Sequence, residues 1–66
     1  MSGRITGLKF DRGFGFITTE DGREHFFHAS AVRGVPFHWL KEGMRVTFHT
    51  ANDYRGPRAY HVQEAA

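Results

Sequence analysis

An all-β fold, five short antiparallel strands closed into a small Greek-key barrel, is what this sequence predicts, and three observations carry it. Short segments of β-type composition alternate with turn residues, and no stretch keeps a three-to-four-residue apolar period. The chain has only 66 residues, and five short strands need closure to manage their edges.

Taken in order, the first strand is expected at Arg4 to Lys9, the second at Phe14 to Thr19 and the third at Glu24 to His28. Asp11-Arg12-Gly13 and Glu20-Asp21-Gly22-Arg23 separate them as hairpin turns, because Asp and Gly tolerate the positive φ that tight connections require. From Ala29 to Gly43 the rhythm breaks: Gly34, Pro36 and Gly43 punctuate a long connection in which Ala31-Val32 forms at most one turn of helix. The fourth strand is expected at Met44 to Thr50 and the fifth at Arg58 to Gln63, joined by Asn52-Asp53-Tyr54-Arg55-Gly56-Pro57. Pro57 has no N–H to give a ladder and so marks the start of the last strand. A three-strand meander, a crossing loop and two more strands match a barrel of the OB type. In the first strand Ile5 and Leu8 are both core candidates of opposite parity, and a bulge at Gly7 reconciles them.

A chain of this length makes one small domain, with its core within about residues 3–63, and removes only about 60% of its unfolded surface from water. Without cysteine it has neither disulfides nor a thiolate zinc site, and a reducing, cytoplasmic setting is expected. No apolar run approaches membrane-spanning length, and the start, MSGRITG, lacks the apolar region of a secretory signal. Nine Lys and Arg against seven Asp and Glu give a formal charge of +2 and a pI near 9.5, which permits an anionic partner without demanding one. Seven Phe, two Tyr and one Trp are more rings than so small a core holds easily, so some belong at the surface.

Strand parity says which. In the second strand Phe14, Phe16 and Thr18 share one face, and Gly15, Ile17 and Thr19 the other. Phe27 likewise faces opposite to Phe26 and His28. With Ile17 and Phe27 inside, Phe14, Phe16, Phe26 and His28 stand outside together; the reverse parity would bury three Phe and a His in a very small barrel. Gly13 and Gly15, flanking Phe14, are read as clearing space around that exposed ring. An apolar patch of this size calls for a binding role; the alternative is a patch covered by a second copy or by the long loop.

Gly13-Phe14-Gly15-Phe16-Ile17 and Phe26-Phe27-His28 resemble the two ribonucleoprotein motifs of the bacterial cold-shock domain. The likeness runs without a gap from Gly3 to Val62, through Ser30-Ala31-Val32, Phe37, Leu40-Lys41-Glu42-Gly43, Val46-Thr47-Phe48 and Arg55-Gly56-Pro57. It implies a five-stranded OB barrel that stacks bases of single-stranded RNA or DNA on Phe14, Phe16, Phe26, His28, Phe37 and Arg55. The exposed rings alone lead to the same face: every base has a π surface, and each stack is worth about 1–3 kcal/mol with little sequence preference. This chain departs from the family in carrying Thr6, Gly7 and Leu8 where Lys, Trp and Phe are usual, and Ala29 where Phe follows the His. Two missing stacks cost roughly 2–6 kcal/mol if additive, more than tenfold in affinity. Lys9 and Phe10 lie where either could compensate from the first loop.

The remaining candidates rank lower. His25, His28, His38, His49 and His61 are spread over separate strands and a loop, without Cys or an H-x-x-x-H pair, so no metal site is expected; His28 is the functional one and the others face solvent. Trp39 is expected to pack on the barrel flank beside Pro36, Tyr60 to share the core parity of Val62, and Tyr54 to lie in a turn. Lys9, Arg12, Arg55 and Arg58 are candidate phosphate contacts, few enough for a shallow salt slope of about 0.7 per neutralised phosphate. No catalytic constellation is present, and Gly13-x-Gly15 lacks the third Gly and following helix of a dinucleotide site. The expectation is therefore a non-enzymatic binder of single-stranded RNA or DNA with RNA-chaperone character, monomeric, with no cofactor, membrane or small-molecule substrate. The competing expectation is a self-associating or protein-binding OB domain.

Overall fold

The computed structural model describes residues 1–54 and 56–65, the side chain of Asp53 excepted. Five strands, β1 (Ser2–Lys9), β2 (Phe14–Thr18), β3 (Glu24–His28), β4 (Arg45–Asp53) and β5 (Gly56–Glu64), close into a barrel in the order β1-β2-β3-β5-β4. Every adjacent pair is antiparallel except β3 and β5, which run parallel and meet at Phe26 and Arg58. Geometry demands that exception. Strand directions cannot alternate all the way round a ring with an odd number of members, so a barrel expected to be antiparallel throughout must contain one parallel contact.

Alternation in the sequence decides what fills the barrel. Ile5, Ile17, Phe27, Leu40, Val46, Phe48, Ala59 and Val62 form the core, with Leu8, Val35, Phe37 and Met44 packed on it from partly exposed positions. Each large side chain so buried contributes about 1.5–3 kcal/mol, and this cluster is the main support of a chain without disulfides. β1 breaks register between Ile5 and Gly7, Ile5 pairing with Ile17 and Gly7 with Phe16. The expected bulge lets Ile5 and Leu8 both face inward.

The long connection carries two single turns of 3-10 helix, Ala29–Ala31 and Phe37–Trp39. The first starts slightly earlier than expected, and the second carries no helical period long enough to read. Arg33 N donates to Val62 O at 2.7 Å, and Val32 bridges Val62 in parallel, which ties the first turn to β5.

Three expectations are corrected. His25 is only 2% exposed, because it opposes Ile17 on the inward face; its ring packs 5.2 Å from that of Phe48. Trp39 is 63% exposed, since the short helix turns its backbone N–H onto Pro36 O while the ring stays off the barrel flank. Tyr60 is 41% exposed. In the β4–β5 ladder His49 opposes Tyr60 and Thr47 opposes Gln63, so β5 carries one extra residue. His61 takes it up at φ 52, a left-handed conformation that His tolerates better than most residues. The bulge resets parity: Ala59 and Val62 both point in, and Tyr60 and His61 both point out.

Candidate nucleic-acid interface

The β2–β3 ladder aligns Phe14 with His28 and Phe16 with Phe26 on its outer side, and Gly15 with Phe27 and Ile17 with His25 on its inner side. Ile17 and Phe27 are fully buried. Phe14, Phe16 and Phe26 are partly exposed and His28 is exposed, so the parity reading holds. The three Phe rings touch one another, with centroids 5.4 Å apart for Phe14 and Phe26, 5.7 Å for Phe14 and Phe16, and 6.0 Å for Phe16 and Phe26. Edge-to-face and tilted packing of this kind adds about 0.5–1.5 kcal/mol per pair beyond area burial and holds the rings as a preformed platform.

Gly15 serves a different purpose from the one expected of it. A Cβ there would lie 2.8 Å from the Phe27 ring and 2.8 Å from Gly7 O, both on the inner side. Gly15 makes room for a core ring rather than for a ligand. Gly13 sits at φ 75 and closes the β1–β2 turn by donating to Lys9 O at 2.8 Å. Gly7 does face the platform: a Cβ there would stand 3.3 Å from Phe16 Cδ2, so the aromatic surface stops at Phe16 on this side.

His28 is oriented by its own chain. The Ser30 backbone N–H, which can only donate, lies 3.1 Å from His28 Nδ1, and Ser30 Oγ lies 2.9 Å from the same nitrogen. Nδ1 is therefore the acceptor, and the neutral ring carries its proton on Nε2. That capping contact also starts the first 3-10 turn.

The other candidates separate into groups. Arg58 places its guanidinium carbon 5.1 Å from the centre of the Phe26 ring, which joins β5 to the platform through a cation–π contact. Phe10 is 51% exposed and meets Phe37 at 5.4 Å, while Phe37 rests edge-on against core Phe27 at 6.1 Å. This second aromatic pair is built from the β1–β2 loop and the long connection. Lys9 ends β1 opposite Phe14, and Arg12 is exposed in the following turn. Arg55 lies outside the described residues. Tyr54 is exposed in the last turn. Among the described residues no three His, Asp or Glu side chains converge as metal ligands, and no helix is long and apolar enough to cross a membrane.

Reading the sequence alone misses Tyr60 and Arg33, both of which line a groove beside His28. Arg33 carries no local signal, and the outward turn of Tyr60 depends on a bulge that alternation cannot show.

A closed five-stranded barrel with its aromatic platform on the outer side of β2 and β3 defines an OB-type domain. The chain belongs to the family of 'Cold-shock' DNA-binding domains, whose model matches residues 1–65. It is similar to Cold shock protein 1 of Lactiplantibacillus plantarum, 43% identical with 92% of each chain covered. To Cold shock protein 2 of the same species it is 44% identical, with 94% of each covered. To the Major cold shock protein of Streptococcus pyogenes it is 38% identical over 97% of this chain and 96% of that one. Among solved structures, drosophila Unr CSD456 superimposes with a TM-score of 0.75 at 24% identity, covering 98% of this chain and 26% of that one. The chain thus spans about a quarter of that longer chain, and at this identity the likeness concerns the fold.

Proposed function

We propose that this protein binds single-stranded nucleic acid on the β2–β3 face, stacking bases on Phe14, Phe16, Phe26 and His28, with Phe10 and Phe37 as an outlying pair. One observation carries the reading: three Phe rings in mutual contact stand on the outside of a barrel whose core is already filled. OB folds use this strand 2–3 face and its bordering loops to bind oligonucleotides. Family membership points to the same ligand. Rings read no base edges, so binding tolerates many sequences, with pyrimidine preference set by stacking rather than hydrogen bonds. Holding bases on the platform lowers the free energy of the open strand relative to the paired one. Hairpins melt without ATP, an RNA-chaperone action that would act on transcription or translation.

Titration of a pyrimidine strand of about six nucleotides, within the site size of one OB fold, followed by amide shift mapping, tests this. Shifts are expected at Phe14, Phe16, Phe26 and His28, and Phe16→Ala or Phe26→Ala should each cost about 1–3 kcal/mol of affinity while the barrel stays folded. Absence of shifts at high micromolar strand sinks the proposal. A dimer that forms with concentration and dissociates in Phe16→Ala would instead mark the platform as a self-association surface.

A further inference from the structure

Between the first 3-10 turn and β5 lies a groove of about 220 Å³, lined by His28, Ser30, Arg33, Arg58, Tyr60 and His61 among others. That is below the roughly 300–1,000 Å³ of pockets enclosing a drug-sized ligand, and it suits one unit of a chain that continues elsewhere. We propose that this groove is an added nucleotide subsite, with Tyr60 stacking a base and Arg33 contacting its phosphate, reached by a strand that leaves the platform past His28. The inference rests on the single-strand reading above and extends its footprint across β5.

Four observations support it. Among the described residues the charged side chains lining the groove are Arg33 and Arg58, a local balance that favours an anion. Arg33 Nη1 is anchored on Ser30 O at 2.7 Å and Val32 O at 3.1 Å; this fixes the guanidinium while leaving the Nε and Nη2 donors for a phosphate. The groove is continuous with the platform, since His28 belongs to both and Arg58 lies over Phe26. Finally, the groove depends on the left-handed backbone of His61. Without that bulge Tyr60 and Val62 would share one face of β5. Strained non-glycine backbone of this sort tends to persist where a surface is used.

The test compares strands of about six and about nine nucleotides, both within the span of one OB fold, by fluorescence anisotropy at several salt concentrations. Tyr60→Ala should weaken the longer strand by about fivefold or more, the equivalent of one lost stack, and Tyr60→Phe should bind as wild type. Arg33→Gln should flatten the salt slope for the longer strand by about 0.7, and Arg33→Lys should retain it. Both side chains are exposed, and amide spectra confirm that each variant folds. Wild-type behaviour in either Tyr60→Ala or Arg33→Gln overturns the subsite, and leaves the platform standing if Phe16→Ala still weakens binding. If the wild-type protein binds neither strand, platform and subsite fall together.

Discussion

Gly15 and Gly7 lie on adjacent strands, opposite Leu8 and Phe16 respectively, yet a side chain would mean opposite things at the two positions. At Gly15 a methyl would collide with the Phe27 ring and a backbone carbonyl, each 2.8 Å from the ideal Cβ, and the carbonyl cannot step aside without moving β1. Gly15→Ala is therefore expected to lose about 1–3 kcal/mol of stability, visible as a lower urea midpoint; an unchanged midpoint would show the close approach to be soft. At Gly7 the neighbour is the Cδ2 edge of Phe16 at 3.3 Å, a ring on the surface with room to give. His25 shows the same contrast between place and chemistry. Its Nδ1 lies 3.3 Å from Thr50 Oγ1, while its Nε2 is buried without a hydrogen-bond partner among the described residues. This His belongs to the barrel's structure rather than to the binding face.

At the scale of elements, the β2–β3 hairpin that carries the platform is closed by its own acid. Asp21 accepts from the Thr19 hydroxyl and from the Arg23 backbone N–H at 3.3 Å. The Thr19 bond first and then the Arg23 N–H, with a lesser contribution from the Arg23 charge, hold the carboxyl below the usual carboxylate range against an opposing desolvation. A depressed folded pKa contributes stability that is fully present above the pKa of an unfolded-chain aspartate and is lost as pH falls through the folded value. Acid titration followed by amide shifts should thus show the turn at Thr19 to Arg23 loosening only at pH below that of an ordinary aspartate. In Thr19→Val the Asp21 transition should move up in pH. The same transition in both proteins would remove the hydroxyl from the account. β5 is governed differently: its left-handed non-glycine residue, His61, packs at a tilt against His49 at 5.1 Å and sets the residues on either side of it on opposite parity.

At the scale of the whole molecule, few cations are candidate phosphate contacts. Counting Lys9, Arg12, Arg33, Arg55 and Arg58 as phosphate contacts gives a ceiling of about 3.5 for the slope of log K against log salt, at about 0.7 each. Affinity measured over a tenfold salt range should therefore fall by less than that power. A steeper slope would mean that the charged surface, rather than the aromatic platform, dominates. The stripped borders at Gly7 and Ala29 fit the proposed reading, in which binding rests on the central rings and the proposed β5 subsite adds contact on a side the sequence did not advertise. Strand placement, the Gly7 bulge and the inward pair Ile17 and Phe27 were legible because side-chain parity and turn chemistry are encoded within a few residues. The parallel β3–β5 contact was not, since it joins residues far apart in the chain; the exposure of Trp39 was not, since a single 3-10 turn has no period to read; the inward turn of His25 lay within reach of parity, because it shares the face of Phe27.

The sequence by itself determined the all-β class, the five strands and the outward row of Phe14, Phe16, Phe26 and His28, because a period of two leaves a strand only two faces and the apolar core claims one. What only the tertiary structure decided is where that row ends. Closure of the barrel brings β5 beside β3, and the extra residue at His61 turns Tyr60 outward next to His28 and Arg33. Register between distant strands is a property of the closed ring, and no local pattern of residues contains it.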